Sequence, residues 1–529
     1  MEYNLADLFE SVADAVADRD ALVIGDRRLT FAELDERANR AAHCLAAQGI
    51  GPGDHVGLYL GNCTPYIEAM LGCFKLRAVP ININYRYVEE ELRYLLDDAD
   101  IACLIYGREF APRVEAVLGS MPKLRITISV EDGSDASFGS LDSIDYEQAI
   151  AAASPDRDFA PRSGSDLFLL YTGGTTGMPK GVMWTHEDLF FAGLMGANPS
   201  GPPPESAEQV AERAAARPSL AMMSAAPLIH GAAQLGSFIA LLSGSKAVLA
   251  DRFDPVKIWQ TIADEQVISL SIVGDAMGRP LAEALEQPDC PRPPLAVVAS
   301  AGAVFSDAVK AQLLASLPNL TMLDNFGASE TGSQGSMGGL TEDGGLRFTV
   351  DSNTVVLDDD QRIIPPGGDQ TGLVARRGRV PVGYYKDPEK TAATFPTIDG
   401  VRYAVLGDVA RYESETSIVV YGRGSLCINS GGEKIFPDEV ERALKLHPQV
   451  RDALVVGIPD ERWGQRVAAV VEAVAGTQPA ADALVAHCRE HIAGYKVPRQ
   501  ICFADTVQRA PSGKPDYPWA REQLLAADS

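Results

Sequence analysis

Leu167-Phe168-Leu169-Leu170-Tyr171 runs straight into Thr172-Gly173-Gly174-Thr175-Thr176-Gly177-Met178-Pro179-Lys180-Gly181, and the reading of this junction decides the fold. An apolar run bounded by glycine reads as a buried strand. In the loop after it, Gly173, Gly174 and Gly177 leave backbone N–H groups free to approach phosphate oxygens. The hydroxyls of Thr172, Thr175 and Thr176 can donate to the same oxygens, and Lys180 adds a positive charge. The spacing is not that of a Walker loop, because Lys180 follows Pro179 and precedes Gly181 rather than Ser or Thr. A strand that opens into this order of residues points to a phosphate cradle rather than to a plain turn.

The same alternation extends outward from the loop. Thr30, three residues before Glu33, forms a capping box ahead of a helical face made by Leu34, Ala38, Ala41 and Leu45. The turn at Gly51–Asp54 leads into the buried run Val56–Leu60, a helix over Tyr66–Leu76 and the strand-like Val79–Ile83. Apolar runs at 221–226, 247–250, 268–273, 296–301 and 320–325 continue the rhythm. Helices alternating with such runs imply α/β layers with much parallel sheet. The stretch from Gly196 to Pro218 interrupts the rhythm. It reads as a turn-rich surface insertion with a short helix over 205–216, in preference to a lid. Beyond Gly422 the pattern becomes a compact unit, with helices over 437–447 and 481–493 and strands over 450–456 and 467–474. The expected architecture is therefore α/β: a large N-terminal domain of layered sheets and helices over 1–422, then a small, mobile α+β domain over 423–529.

Composition bounds the function. A chain of 529 residues with 72 acidic and 46 basic side chains carries a formal charge of −26. That charge argues against binding nucleic acid or an anionic membrane. Anionic substrates would then need local cations, backbone N–H groups or a metal ion. No apolar stretch is long enough to span a bilayer. The amphipathic start, with Leu5, Leu8, Phe9, Val12 and Val16 on one face, lacks a basic leader and a cleavage site, so a cytoplasmic location is expected. The eight cysteines are scattered and read as reduced, mostly buried thiols. The histidines are read as offering no paired ligand motif, so no zinc site is expected.

The loop at 172–181 closely resembles the phosphate loop of the adenylate-forming superfamily, which comprises acyl-CoA synthetases, peptide-synthetase adenylation domains and firefly-type luciferases. Further motifs follow in family order over almost the whole chain. Gly431-Gly432-Glu433-Lys434 and Gly494-Tyr495-Lys496-Val497-Pro498-Arg499 look most like bacterial fatty-acyl and steroid-side-chain acyl-CoA synthetases. Gly173 stands where the family usually has a second Ser. The resemblance implies an AMP-forming acid–CoA ligase that uses ATP and CoA as co-substrates and Mg²⁺ as cofactor.

It also implies roles for residues. Asp324-Asn325-Phe326-Gly327-Ala328-Ser329-Glu330 is similar to the family's Tyr-Gly-x-Thr-Glu motif, with Phe for Tyr and Ser for Thr. Phe326 would stack on adenine with Asn325 and Gly327 beside it, Ser329 would contact the α-phosphate and Glu330 would hold Mg²⁺. Gly302 and Ala303, in the small-residue loop from Ser300, would lie against adenine and the acyl carboxylate. Asp408 would accept from the ribose hydroxyls, and Arg423 would reach the nucleotide. Ala404 replaces the family Arg, so nothing is assigned there. Gly424 and Ser425 would form a hinge; Ser425 stands where many relatives have Asp or Lys. Lys514, in Arg509-Ala510-Pro511-Ser512-Gly513-Lys514, would bridge the acyl carboxylate and the α-phosphate during adenylation. Gly431, Gly432, Glu433 and Lys434 would line the path of the CoA arm. His230 would lie beside the acyl carboxylate and gate CoA. The small residues after it, starting at Gly231, and Gly274 in Gly274-Asp275-Ala276 suggest a roomy acyl pocket. The expected substrate is a bulky or long acid, a steroid side-chain acid ahead of a medium- or long-chain fatty acid, and the less favoured acceptor is a carrier protein. A homodimer stays open as the assembly.

Overall fold

The computed structural model describes residues 2–174, 177–199, 201–303, 305–341, 346–430, 433–460, 463–509 and 514–527. Among them, Thr30 caps the helix Phe31–Ala47 and exchanges hydrogen bonds with Glu33, as its spacing predicts. The face Leu5, Leu8, Phe9 and Val12 of the helix Leu5–Ala15 is fully buried.

Two large sheets build the first part of the chain. One runs in the order Gly383–Tyr384, Gly177–Thr185, Leu167–Gly174, Val79–Asn82, His55–Tyr59, Ile101–Gly107, Ile126–Val130, Ile144–Asp145. It is parallel from Leu167–Gly174 to Ile144–Asp145 and antiparallel at the other edge. The other sheet has a parallel run, Lys246–Leu249, Ala221–Ser224, Val267–Ile272, Val297–Ser300 and Thr321–Ala328 in that order. Thr321–Ala328 changes partner midway. Thr321 to Asp324 pair in parallel with Val297–Ser300, and from Asn325 onward the strand pairs antiparallel with Gly332–Leu340. The switch falls on the residues singled out as a nucleotide motif, and crevices at such points are where ligands bind in α/β sheets.

The smaller domain is a five-stranded sheet of Glu433–Ile435, Ile428–Ser430, Gly464–Ala473, Val450–Asp460 and Gln500–Ala504. Helices Pro437–Lys445, Ala481–His491 and Tyr517–Ala526 cover it. The expected α+β unit is thus present, with its strands longer than the apolar runs implied. Strand pairing continues through Pro459 and Asp460, which hydrophobicity alone does not mark.

The presumed loop at 172–181 is instead a β-hairpin. Thr172 pairs with Lys180 and Gly174 with Gly177, while Thr175 and Thr176 at its tip lie outside the described residues. Its root is held by a buried side chain. Strands Val79–Asn82 and Leu167–Gly174 pair only at Ile81 and Leu169. Beyond that point the Asn82 amide replaces the missing backbone: Oδ1 accepts from Tyr171 N at 2.8 Å and Nδ2 donates to Tyr171 O at 2.8 Å. The second Nδ2 hydrogen goes to Ile229 O at 2.7 Å, in the turn that precedes His230. Asn82→Leu keeps the volume but leaves these buried backbone groups unpaired, an expected loss of about 3 kcal/mol. Denaturant unfolding checks it, and a variant as stable as wild type would show that the amide is not the clamp.

Candidate active site

A single cavity of about 1880 Å³ opens at the C-terminal ends of the parallel strands and reaches the small domain. That exceeds the roughly 300–1,000 Å³ of a pocket for one small ligand. Thr172, His230, Gly231, Gly302, Ala303, Asn325, Phe326, Gly327, Ser329, Glu330, Asp408 and Lys514 all line it. The sequence scatters these residues over more than half the chain, and the strand ends gather them.

The turn that carries Ser329 and Glu330 joins Thr321–Ala328 to Gly332–Leu340 and belongs to the second sheet. Two side chains of the first sheet hold it. Trp184, buried in the return strand of the hairpin, donates its indole N–H to Ser329 O at 2.8 Å. Tyr384, on the strand beside it, donates its hydroxyl to Glu330 Oε1 at 2.9 Å. The backbone leaves no room for side chains here. A Cβ at Gly327 would lie 2.2 Å from Gly332 O, and one at Gly332 (φ +66°) 2.5 Å from Ala192 O. Neither Trp184 nor Tyr384 stands out in the sequence, because their partners are distant and one is a backbone carbonyl. Asn82 could have been found, as the one polar residue in the apolar run Val79–Ile83.

On the opposite side of the switch point, the Phe326 ring stacks on Phe348 at 4.8 Å between centroids. Asp324 pairs with Lys310 at 2.6 Å, while burial raises its carboxyl above the usual range. Asp408 lies across from Arg423 on adjacent antiparallel strands. The side chains of Arg423, Ser425, Glu433 and Lys434 lie outside the described residues, as do Gly431 and Gly432 entirely. Gly424 opens the short turn Gly424–Leu426 between the large sheet and the small one.

Three expectations need correction in this geometry. Lys180 does not line the cavity. Its ammonium pairs with Asp387, the cap of helix Pro388–Thr394, and holds that carboxyl below the usual range. Gly274 does not line it either, since its N–H donates to the buried Ser300 Oγ at 3.0 Å while Val273 faces the space. The 196–218 segment is more than a surface insertion, for Ala197, Asn198, Pro202 and Arg217 all contribute to the cavity wall. One statement about the sequence also falls. His487 and His491 are four residues apart on helix Ala481–His491 and, with Glu490, bring ligand atoms within 4.8 Å of one another, though none of the three lines the cavity. No disulfide forms among the described cysteines, and burial raises the thiol of Cys63 to about 12, which leaves it inert.

His230 sits just before helix Gly231–Leu242. Its imidazole pKa is lowered to about 4, first by burial and then by repulsion from Arg86 and Lys514. Both His230 and Lys514 line the cavity, with Lys514 close enough to disfavour protonation of the imidazole. The ring is therefore neutral at physiological pH.

The family model described as AMP-binding enzyme matches residues 9–385, and the one described as AMP-binding enzyme C-terminal domain matches 439–514. The anthranilate CoA ligase AuaEII, solved in complex with anthranoyl-AMP, shares the fold with a TM-score of 0.83 at 23% identity over 100% of this chain and 98% of its own. The chain thus has the fold of that CoA ligase, and the family matches class it as an AMP-binding enzyme. At higher identity, a medium/long-chain-fatty-acid–CoA/3-oxocholest-4-en-26-oate–CoA ligase of Mycobacterium marinum is 48% identical, covering 99% of this chain and 97% of its own. A 3-oxocholest-4-en-26-oate–CoA ligase of Rhodococcus rhodochrous is 47% identical over 99% of this chain and 96% of its own. The chain belongs to the AMP-binding enzyme family and is an AMP-forming acid–thiol ligase that uses ATP and CoA.

His230 makes acid destabilisation specific. Its pKa in the folded state lies below the ordinary 6.5, so the unfolded chain binds the proton more readily. The associated stability is present above pH 6.5 and is lost as pH falls toward 4. His186, fully buried and also lowered to about 4, acts in the same direction. His230→Gln is expected to flatten the fall of Tm between pH 6.5 and 4 without abolishing it. Thermal unfolding across that range reads the effect, and an unaltered slope excludes His230 as a source.

Proposed function

We propose that this ligase joins CoA to a bulky carboxylic acid, a steroid side-chain acid ahead of a medium- or long-chain fatty acid. The observation that carries this reading is the shape of the cavity beyond His230. It follows helix Gly231–Leu242, where a Cβ on Gly236 would meet nothing within 4 Å, and the facing strands present the small residues Ser224, Ser269, Ser271 and Ala299. Acetate would leave such a space empty. The keto-steroid acid in the names of the relatives fits it in kind.

In the first half-reaction an oxygen of the substrate carboxylate attacks the α-phosphorus of ATP, the bond to the bridging oxygen breaks and pyrophosphate leaves. Lys514 faces the cavity and would balance the negative charge that builds on the α-phosphoryl oxygens. The hairpin after Thr172 and its tip residues Thr175 and Thr176 would hold the phosphates with Gly174 and Gly177; Lys180 would join them only by exchanging Asp387 for a phosphate oxygen. Asn325, Phe326, Gly327, Gly302 and Ala303 would enclose the base, Ser329 would meet the α-phosphate, and Asp408 with Arg423 would hold the ribose. Glu330 suits Mg²⁺, which prefers one or two carboxylates with phosphate oxygens. Tyr384 engages Oε1 alone, and the carboxylate faces the same cavity as Thr172 and Ser329. Such an ion would neutralise phosphate charge when bound.

In the second half-reaction the CoA sulfur attacks the acyl carbon, its proton is released and AMP leaves. We take residues 1–422 and 423–529 as the two moving bodies and Gly424–Ser425 as the hinge. Rotation there would bring Gly431, Gly432, Glu433 and Lys434 against the CoA arm, with His230 gating its path. A cytoplasmic location belongs to the same reading and accords with cysteines that form no disulfide among the described residues. No helix among the described residues is long and apolar enough to cross a membrane.

Incubation with ATP, CoA and a panel of acids, read as AMP and acyl-CoA, tests the assignment. Steroid side-chain acids are expected to give the highest kcat/KM, and a preference for acetate or benzoate would overturn it. Lys514→Ala is expected to slow adenylate formation by about 100-fold or more while sparing thioester formation from supplied acyl-adenylate; equal loss in both steps would refute that division. Glu330→Gln is expected to raise the Mg²⁺ concentration needed for half-maximal pyrophosphate release, and an unchanged requirement would take Glu330 out of the ion site.

A further inference from the structure

The stretch at 195–218 and helix Gly231–Leu242 meet at the end of the cavity remote from His230. A Cβ on Gly244, in the turn after that helix, would lie 2.8 Å from Ala214, so helix Glu208–Ala216 packs directly on the turn. Arg217 follows helix Glu208–Ala216 and shares a small surface recess with Leu242 and Ser243. It donates from Nη2 to Asn198 Oδ1 at 3.1 Å, and both side chains also line the main cavity. Asn198 is buried and fixed, since its Nδ2 donates to Pro202 O at 2.7 Å. Helix Gly231–Leu242 has 12 residues, so His230 at one end and Arg217 at the other are about 18 Å apart along its axis.

The chain has 72 carboxylates against 46 basic side chains, yet among the described residues no carboxylate lies within ion-pair distance of the Arg217 guanidinium. A guanidinium has five N–H donors, and the hydrogen bond to Asn198 engages one nitrogen. Arg217 is itself exposed, so its remaining donors stand at the solvent-facing margin of the cavity, at the end away from His230. The walls between are apolar on the helix side, at Leu235 and Ile239, and hydroxyl-bearing on the sheet side, at Ser269 and Ser271.

We propose that Arg217, positioned by Asn198, is a binding subsite for a neutral carbonyl oxygen at the end of the substrate opposite its carboxylate. A ring ketone on a steroid side-chain acid is such a group, held by a rigid skeleton at a set distance from the carboxylate. An unsubstituted fatty acid offers no acceptor there and forgoes the hydrogen bond from a charged donor that a keto acid gains. The inference rests on the proposed acid class and adds the part of the molecule that is recognised.

The test compares a keto-steroid side-chain acid, its analogue lacking the ring oxygen, a long-chain fatty acid and a long α,ω-dicarboxylic acid, with wild type, Arg217→Met and Asn198→Ala. Wild type is expected to favour the keto acid over its deoxygenated analogue by about 10- to 100-fold in kcat/KM, expressed in KM, as for a hydrogen bond from a charged donor. Arg217→Met should abolish that preference and leave the deoxygenated and fatty acids unchanged, and Asn198→Ala should weaken it. Equal loss on all the acids would mean that Arg217 is a structural wall or steers carboxylates inward, and would overturn the subsite. A defect confined to the dicarboxylic acid would overturn it in favour of an anion site. A wild type that activates both steroid acids equally refutes the subsite alone. One that activates fatty acids but no steroid acid refutes the acid class on which it rests. ATP-dependent pyrophosphate exchange with the fatty acid verifies that each variant is folded.

Discussion

The hydrogen bonds of the Asn82 amide are the constraint on which the site depends. Where strands Val79–Asn82 and Leu167–Gly174 part, this side chain completes the ladder at Tyr171 and simultaneously grips Ile229. The phosphate hairpin and the turn before His230 come from strands of different sheets, and a single planar amide sets the distance between them. Gly231 tightens the same junction, because a Cβ there would fall 2.5 Å from Leu170 Cδ2. A buried amide with its donors and acceptor satisfied is rigid, so the hairpin root and the turn before His230 have little freedom relative to one another.

A second pair of cross-sheet bonds, from Trp184 and Tyr384 to the Ser329–Glu330 turn, works in the same way on the nucleotide side. Together they make the cavity a seam between two sheets instead of a pocket within one. The first sheet supplies the hairpin, and the second supplies the wall that carries Gly302, Asn325, Phe326 and Asp408. The small domain closes the seam with Lys514. Its own placement relies on ion pairs, in which Asp452 takes Arg509 at 2.7 Å and Lys445 at 2.8 Å. Those charges pull the Asp452 carboxyl well below its ordinary range despite burial. Arg509 also bridges to Pro515, so both flanks of the segment that presents Lys514 are anchored.

Charge is arranged against the global excess of acid. Arg86, Lys310, Arg442 and Lys514 line the cavity, and Arg217 stands at its far end. Some of this positive charge is balanced within the protein, as in Lys310 with Asp324. The environment of His230 shows the net effect, for the cations Arg86 and Lys514 add to burial in keeping it neutral. An anionic nucleotide and a carboxylate thus enter a positive seam in a negative molecule.

Much of this was legible in the residues themselves. Alternating apolar runs and helical faces determined the α/β layering, the capping box at Thr30 and the compact terminal unit, because periodicity and capping are local. Motif order identified Thr172, Phe326, Ser329, Glu330, Asp408 and Lys514 as residues that meet, since each carries its own backbone context. Local context could not say that the loop at 172–181 is a paired hairpin, that Lys180 turns to Asp387, or that Gly274 faces Ser300. Nor could it show that Asn82, Trp184 and Tyr384 hold the two halves of the site, or that the 195–218 stretch forms part of the cavity wall. Those outcomes depend on partners 89 or more residues away in the case of Asn82. Side-chain direction and cross-sheet distance are set by packing, which only the tertiary structure decides.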